Sequence, residues 1–209
     1  MTAEISRKVR EQIEKGIAIL KQGGLVAYPT DTVYGLGAYA YLNGAVKRIY
    51  DVKERPQDMP LPLLLADENM IADVAAELSP RIWLLIKGFL PGALTLVVNK
   101  SAAVPRIVGS EGPTIAVRIP DHPVPIALIR GIQAPLIGTS ANLSGRPSPL
   151  TAEEVNSQLG DRIDLVIDGG KCPGGKESTV VDVTGEKPVI LRRGAISDEE
   201  IERMCGLLS

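Results

Sequence analysis

The sequence predicts an α/β protein with a mixed, open β-sheet and helices packed against it. Short apolar runs alternate along the chain with segments of helical periodicity, which is typical of this class. The last two strand candidates, residues 179–183 and 189–192, lie too close for a crossover helix between them, so antiparallel neighbours are expected among parallel ones. The 209 residues are 44% hydrophobic and contain no repeat or linker, which favours one domain over residues 1–209.

The first third of the chain predicts two helices around a strand. Residues 5–20 carry apolar side chains at helical spacing, and Gly23 follows as a stop signal. Residues 25–28 are an apolar run that predicts a strand, and the polar residues 29–37 predict a loop after it. The second helix, over residues 45–52, has to end before Pro56, which places Lys53 and Arg55 at a helix end.

The remaining elements are predicted from caps and apolar runs. Ser79 and Pro80 predict the start of a helix over residues 82–89, and Thr151 and Ser197 each begin a capping box ahead of a short helix. Residues 125–132 form a further apolar stretch of undecided structure. Strands are predicted at residues 94–98, 115–119, 136–137, 165–167, 179–183 and 189–192.

Composition excludes several functional classes. The formal net charge is -2, and no apolar segment approaches the ~20 residues of a membrane helix. The N-terminus lacks the apolar stretch of a secretory signal, so a cytoplasmic protein is expected. Two distant cysteines and a single histidine argue against a zinc site or a disulfide framework. With only one Phe and one Trp, and five Tyr between residues 28 and 50, strong single-strand RNA binding by stacking is not expected.

One glycine-rich segment has the GxxxxGK spacing of a phosphate-binding P-loop without its other features. Residues 170–176 follow an apolar strand, but Glu177 stands where a P-loop needs Ser or Thr. The β-branched residues 179–183 then predict a strand where a P-loop requires a helix. The segment is therefore interpreted either as a loop over a site or as a plain surface loop.

Three other stretches carry side chains suited to anions or polar substrates. Lys53 and Arg55 provide two cations, which suit a polyphosphate or form a solvated face. Arg118 lies within an apolar strand, where its guanidinium is either exposed or paired with a carboxylate at a site. Residues 139–145 hold small hydroxyl and amide groups near the end of a strand, where α/β sheets bind ligands, although a simple polar turn has the same composition.

Taken together, six motifs occur in one order along the chain: YPTDTVYGLG at 28–37, KERP at 53–56, PG at 91–92, AVRIP at 116–120, SANLSG at 140–145 and ESTVVD at 177–182. This ordered set, from about Leu25 to Gly194, resembles the YrdC-like family, the threonylcarbamoyl-AMP synthases. The resemblance implies a twisted open mixed sheet flanked by helices around a concave site, in the short single-domain form.

The resemblance also implies a reaction and its substrates. L-threonine, bicarbonate and ATP would give threonylcarbamoyl-adenylate and pyrophosphate, a nucleotidyl transfer to the carbamate of threonine. Mg²⁺ would accompany ATP, with no protein ligand assigned to it. Partner proteins would pass the activated group to tRNA to form threonylcarbamoyladenosine, with at most a weak direct contact to tRNA and none to a membrane.

By motif match, the implied site divides into catalytic, nucleotide and amino-acid groups. The catalytic set is Lys53, Arg55, Ser140 and Asn142, in which Lys53 and Arg55 would hold the triphosphate. ATP would contact Arg55, Met59, Thr114, Ser140, Ser148 and Arg192, and threonine would contact Thr32, Arg118, Gly138 and Ser178, with Arg118 taking its carboxylate. The loop from Gly169 to Lys176 would close over ATP.

Two positions depart from the family pattern. Met59 stands where many members carry Asn or Lys, and could offer only a backbone group to ATP. Leu64 stands where some members carry His, which removes one polar contact to the amino acid and leaves open an altered preference. Alternatives to the synthase are an RNA-binding module, a paralogue of the fold without this activity, and a carbamoyl-adenylate enzyme of hydrogenase maturation, whose additional zinc-binding and acylphosphatase-like regions this sequence lacks.

Overall fold

The strands form one mixed sheet with helices against both of its faces. The structure, a computed structural model, describes residues 5–102, 104 and 112–206, and the following bounds refer to that part of the chain. The strands are β1 Val26–Tyr28, β2 Gly35–Tyr39, β3 Leu63–Leu64, β4 Leu94–Asn99, β5 Thr114–Arg118, β6 Leu136–Ser140, β7 Leu165–Val166, β8 Thr179–Asp182 and β9 Val189–Arg192. The helices are α1 Arg7–Lys21, α2 Asn43–Lys53, α3 Glu68–Val74, α4 Pro80–Phe89, α5 Pro123–Ile132, α6 Ala152–Leu159 and α7 Asp198–Gly206, with a 3-10 turn at Gly160–Arg162.

The strand order is β7-β1-β2-β6-β3-β5-β4-β8-β9. The pairs β1/β7, β3/β5 and β4/β8 are parallel and the other five are antiparallel, including the β8/β9 hairpin. This confirms the mixed sheet expected from the short spacing of the last two strands. The sheet interleaves distant segments, so that β6 lies between β2 and β3 at the centre.

Local signals explain where the helices begin. The side chains of Ser79 and Thr151 accept hydrogen bonds from backbone N–H groups in the first turns of α4 and α6. Ser197 and Glu200 bond reciprocally ahead of α7, as a capping box requires. The apolar stretch at 125–132 is part of helix α5, which His122 caps by accepting a hydrogen bond from Val124.

One face of the sheet is covered along its length. Helices α2, α3, α4, α6 and α7 contribute apolar side chains to a large core against alternate strand residues, among them Leu63, Leu96, Val117 and Ile137. On the other face, the described helices α1 and α5 pack at the β7-β1-β2-β6 end, on residues such as Tyr28 and Leu136. Beyond those two helices no helix of the described residues packs on the second face, and the cavity described below lies there.

The expectation of a loop over residues 29–37 was wrong for its last part, because β2 begins at Gly35. Glycine has low strand propensity, so Gly35 and Gly37 gave no local indication of a strand. Both flank the buried ring of Tyr28 on the neighbouring strand, and a Cβ atom would lie 2.8 Å from that ring at Gly35 and 2.7 Å from it at Gly37. The strand therefore depends on a close approach between β1 and β2 that only glycine permits. Strand β3 and helix α3 were not predicted.

Other sequence expectations agree with the structure. Tyr28 and Tyr34 are fully buried and therefore belong to the core, and Cys172 and Cys205 are both free. Among the described helices, none combines the length and apolarity needed to cross a bilayer.

Candidate active site

A cavity of about 600 Å³ opens on the uncovered face of the sheet, a volume typical of small-molecule sites. Because side chains alternate along a strand, Thr95, Ala116, Arg118, Gly138 and Val180 form its floor, while their neighbours face the core. Among the described residues that line it, five are cationic and one, Glu177, is acidic. The cavity therefore suits an anion, although the chain as a whole carries a net charge of -2.

The structure brings most of the sequence-predicted site residues to this cavity. Ten line it, namely Thr32, Lys53, Arg55, Met59, Arg118, Gly138, Ser140, Asn142, Ser178 and Arg192. Ser148 is one contact further out, because its hydroxyl donates to the lining residue Glu177 at 2.6 Å. Thr114 begins β5 two residues before Ala116 and does not line the cavity.

Arg118 is a buried charged group on the floor of the site. Its Nη2 lies 2.6 Å from a carboxylate oxygen of Asp31, Nη1 donates to the hydroxyl of Thr32 at 3.1 Å, and Nε donates to the carbonyl of Gly92 at 2.9 Å. The side chain is 9% exposed, so this guanidinium is held rigidly in place. Of the two interpretations of this strand arginine, the structure favours the one that places it at a site.

The hydroxyl groups beside Arg118 belong to a connected network. Ser178 and Thr95 are joined through their hydroxyls at 2.8 Å, and Arg192 donates to the carbonyl and hydroxyl of Ser178. Arg192 also pairs with Glu177, whose second carboxylate oxygen accepts from Ser148. This network links the floor of the cavity to its rim.

Lys53 is buried although it ends a helix that begins at the surface. Its ammonium donates to the carbonyl of Ser140, to the carbonyl of Asn142 at 2.7 Å and to Oδ1 of Asn142 at 3.0 Å. Burial, reinforced by Arg55 and opposed by Glu177, lowers the pKa of Lys53 to about 8. The solvated-face interpretation is therefore wrong for Lys53.

Arg55 follows a residue in the left-handed conformation, Glu54 with φ 52°, which turns the chain at the end of α2. One Nη2 hydrogen bond reaches the carbonyl of Pro60, and the buried Nε has no hydrogen-bond partner within the described part of the chain. Burial lowers the pKa of this guanidinium. Arg55 lines the cavity, and because its Nε is buried, the donors that it offers to a ligand belong to its Nη groups.

The glycine-rich loop lies against Asp31 and Thr32 at one side of the cavity. Gly174 packs so tightly on the preceding motif that a Cβ atom would lie 2.6 Å from the carbonyl oxygen of Asp31, and Gly175 donates to the carbonyl of Thr32 at 3.1 Å. Strand β8 begins at Thr179 soon after the loop, so the rejection of a P-loop is confirmed. None of residues 169–176 lines the cavity, so the loop packs against Asp31 and Thr32 without lying over the site, and its closure over ATP stays a prediction.

Sequence reasoning missed several residues of this site. Asp31, Thr95, Arg146 and Glu177 lie in or beside the cavity, yet none was given a role in advance. Asp31 and Glu177 lie inside the quoted motifs, which was the available signal. The side chain of Leu64 fills the space beside Gly138. A Cβ atom added at Gly138 would lie 2.3 Å from Leu64 Cγ.

No group of three or more metal-binding side chains, counting His, Cys, Asp and Glu, occurs in the described residues. A resident metal cage is therefore not part of the described site. Glu177, the one acidic residue lining the cavity, is engaged by Arg192 and Ser148.

Comparison with known proteins agrees with this architecture. A family model for Sua5, YciO and YrdC proteins, described as telomere recombination, matches residues 18–194. The threonylcarbamoyl-AMP synthase of Pyrococcus abyssi is 43% identical over 95% of this chain and 60% of its own length, and that of Bacillus subtilis is 45% identical over 93% and 57%.

A solved structure of P. abyssi Sua5 complexed with L-threonine superposes with a TM-score of 0.89, at 43% identity, over 93% of this chain and 57% of that one. This chain thus spans about 60% of the length of these curated relatives. The fold, the ordered motifs and the extent of the similarity give one conclusion: the chain belongs to the Sua5/YciO/YrdC family.

Proposed function

We propose that the chain is an L-threonylcarbamoyladenylate synthase, which forms threonylcarbamoyl-AMP and pyrophosphate from L-threonine, bicarbonate and ATP. The observation that carries the proposal is a single cavity with a buried guanidinium, Arg118, on its floor and exposed cations at its rim. Such a cavity suits a small carboxylate beside a polyphosphate. The names of the relatives, threonylcarbamoyl-AMP synthase, support this reading.

At the amino-acid end, Arg118 binds the threonine carboxylate. The hydroxyls of Thr32 and Ser178 and the backbone of Gly138 supply further polar contacts, and all of them line the cavity. Leu64 adds an apolar wall beside Gly138. Since one methyl group in an apolar pocket is worth about 10–200-fold in selectivity, threonine should be preferred to serine only moderately.

At the nucleotide end, Arg55 and Arg192 bind the phosphates of ATP. Ser140 contacts the nucleotide from the floor, Ser148 and Thr114 from further out, and Met59 from the rim through its backbone. Lys53 and Asn142 complete the catalytic set beneath Ser140. Binding of ATP makes the phosphates compete with Glu177 for Arg192, since this guanidinium is now paired with that carboxylate.

The reaction proceeds in two balanced steps. The neutral amine of threonine and bicarbonate give a carbamate and water. A carbamate oxygen then attacks the α-phosphorus of ATP in line, a new P–O bond forms, and the bond to pyrophosphate breaks. The chain's residues orient the two substrates and stabilise the charge that develops on the phosphates, as preorganised cations do.

Magnesium would enter with ATP. Mg²⁺ commonly keeps several waters and binds through substrate phosphates with one or two carboxylates. The presence of one acidic residue, Glu177, among the described residues that line the cavity is compatible with its arrival on the triphosphate. When bound, it would neutralise phosphate charge. The product is an activated carbamoyl group, which we expect partner proteins to transfer to tRNA.

Pyrophosphate release tests this function. Purified protein with ATP and magnesium is assayed with threonine and bicarbonate together, with each alone, and with serine in place of threonine. We expect release to require both substrates and to be lost in Lys53→Ala and Arg55→Ala, while Lys47→Ala, an exposed lysine of the same helix, retains it. No release from folded protein that binds tRNA in a salt-dependent way would favour the RNA-binding alternative.

A further inference from the structure

The ammonium group of Lys53 has no N–H left for a ligand. An ammonium has three donors, and here each one has an acceptor: the carbonyl of Ser140, the carbonyl of Asn142 and Oδ1 of the same Asn142. The residue is 1% exposed, although it lines the cavity. A phosphate could reach these protons only by displacing a buried hydrogen bond.

Arg55, two residues later, has the opposite character. Of its five N–H donors, one reaches Pro60, while the buried Nε has no partner within the described part of the chain. Two cations that sequence reasoning treats as a pair therefore differ in what they can offer to a phosphate.

Lys53 determines the hydrogen-bond direction of its neighbours. An ammonium only donates, so the amide atom of Asn142 that faces it has to be the oxygen, and the amide nitrogen then donates to the carbonyl of Arg146. Because Oδ1 can only accept, the hydroxyl of Ser140 donates to it at 2.6 Å. The Ser140 hydroxyl is thereby oriented with its lone pairs free.

The backbone of Lys53 holds the same turn. Its carbonyl accepts a hydrogen bond from the N–H of Ser144 at 2.9 Å, and the two segments are separated by about 90 residues in sequence. Side chain and main chain of Lys53 together fix the turn at residues 140–146, which carries Ser140, Asn142 and Arg146 into the cavity wall.

We propose that Lys53 is a positioning residue, which acts on the nucleotide through Asn142 and the turn at residues 140–146 and not as a ligand of the triphosphate. The inference rests on the proposed function and refines it: direct phosphate binding belongs to Arg55 and Arg192. The lowered pKa of Lys53 is consistent, because burial removes water from the ammonium and Arg55 and Glu177 are the charged groups that influence it.

A double-mutant cycle on ATP affinity tests the proposal by titration calorimetry. Lys53→Met and Asn142→Ala are each expected to weaken ATP binding by about tenfold, the worth of a charge-assisted hydrogen bond. The double variant should bind ATP no more than about twofold more weakly than the weaker-binding single variant, because both substitutions break the same Lys53–Asn142 hydrogen bond. In the variant that combines Arg55→Met with Asn142→Ala, the two losses of ATP affinity should instead multiply. Lys47→Met serves as the matched control.

A second measurement separates positioning from general support of the fold and does not depend on Lys53→Met folding. Wild-type turnover should fall as pH rises through about 8, when the ammonium loses its proton. Asn142→Ala removes an acceptor of the charged form, so this limb should move to lower pH. Arg55→Met removes a cation that lowers the pKa of Lys53, so there the limb should persist and move in the opposite direction, to higher pH.

Two results would overturn the proposal: multiplied losses in Lys53→Met/Asn142→Ala, or a high-pH limb that Asn142→Ala leaves in place. ATP affinity does not require turnover. A multiplied cycle in an enzyme that still forms the adenylate therefore rejects this inference alone, while absent threonine-dependent turnover rejects the proposed function.

Discussion

The two ends of the cavity are built from the same kind of side chain but in opposite ways. At the end that we propose binds the amino acid, the Arg118 side chain is 9% exposed and bonded to Asp31, Thr32 and Gly92. At the nucleotide end, the Arg192 side chain is 46% exposed, and its carboxylate partner Glu177 lies at the rim. One guanidinium is fixed in advance, whereas the other can exchange partners with solvent or ligand.

This difference indicates how binding energy is distributed. A preorganised buried arginine loses little side-chain entropy on binding and selects a carboxylate by geometry. Exposed arginines lose more entropy, but in the proposed reaction they would adapt to a flexible, highly charged triphosphate and release pyrophosphate afterwards. We therefore expect substitutions at the floor to affect threonine and those at the rim to affect ATP.

The largest effect is expected for Arg118→Lys. The lysine keeps a cation beside Asp31 but lacks the planar fork, so kcat/KM for threonine should fall about 100-fold or more while the Kd for ATP changes less than about twofold. Pyrophosphate release at varied threonine and calorimetry with ATP measure the two. Arg48→Lys, at a half-exposed ion pair with Asp164, is the matched control. Equal losses in kcat/KM for threonine and in affinity for ATP would contradict a division of the cavity into a threonine end and an ATP end.

The next effect in size is expected for Arg55→Ala. Loss of its charged donors should weaken ATP binding by about 10–50-fold, in the range of charge-assisted hydrogen bonds, and leave threonine affinity within about twofold. Calorimetry with each substrate separately gives both values. ATP affinity that stays at the wild-type value would show that the rim cations do not hold the phosphates.

A smaller effect is expected for Gly174→Ala, which tests how tightly the glycine-rich loop is packed at the amino-acid end. The new Cβ would lie 2.6 Å from the Asp31 carbonyl oxygen, so the loop has to shift. We expect a loss of about 1–3 kcal/mol in the free energy of unfolding, measured with urea, and a higher KM for threonine.

Gly44→Ala is the control for that measurement. Gly44 lies in helix α2 with nothing within 4 Å of the added Cβ, so the substitution should be neutral or stabilise by up to about 1 kcal/mol. A loss for Gly44→Ala as large as that for Gly174→Ala would mean that loop packing is not responsible.

The smallest effect is a pH dependence of stability. Because the pKa of Lys53 is lowered from 10.5 to about 8, the unfolded chain binds more protons than the folded one above about pH 8, and the free energy of unfolding rises with pH. The rise is at most about 1.4 kcal/mol per pH unit. Urea unfolding at pH 8 and pH 9 should show this rise in the free energy of unfolding in the wild type and not in Lys53→Met. Turnover should fall in the same pH range, so stability and activity change in opposite directions.

The secondary structure was accessible from sequence wherever its signals are local. Periodicity predicted α1 and α2, and caps at Ser79, Thr151 and Ser197 predicted the starts of α4, α6 and α7. Strand β2 was missed because its glycines are required by close packing against Tyr28 on the neighbouring strand. A local sequence pattern does not contain such a contact. Strand β3 has only two residues, too few to show an alternation.

The amino-acid sequence by itself determined the α/β class, the order of most elements and the motifs that supply the site residues. Only the tertiary structure decided which of those residues have hydrogen-bond donors available to a ligand and which use all of them within the protein. Lys53 reaches Asn142 across 89 residues, and Asp31 reaches Arg118 across 87. Such contacts depend on sheet register and on which face of the sheet the helices leave open, and these follow from packing of the whole chain.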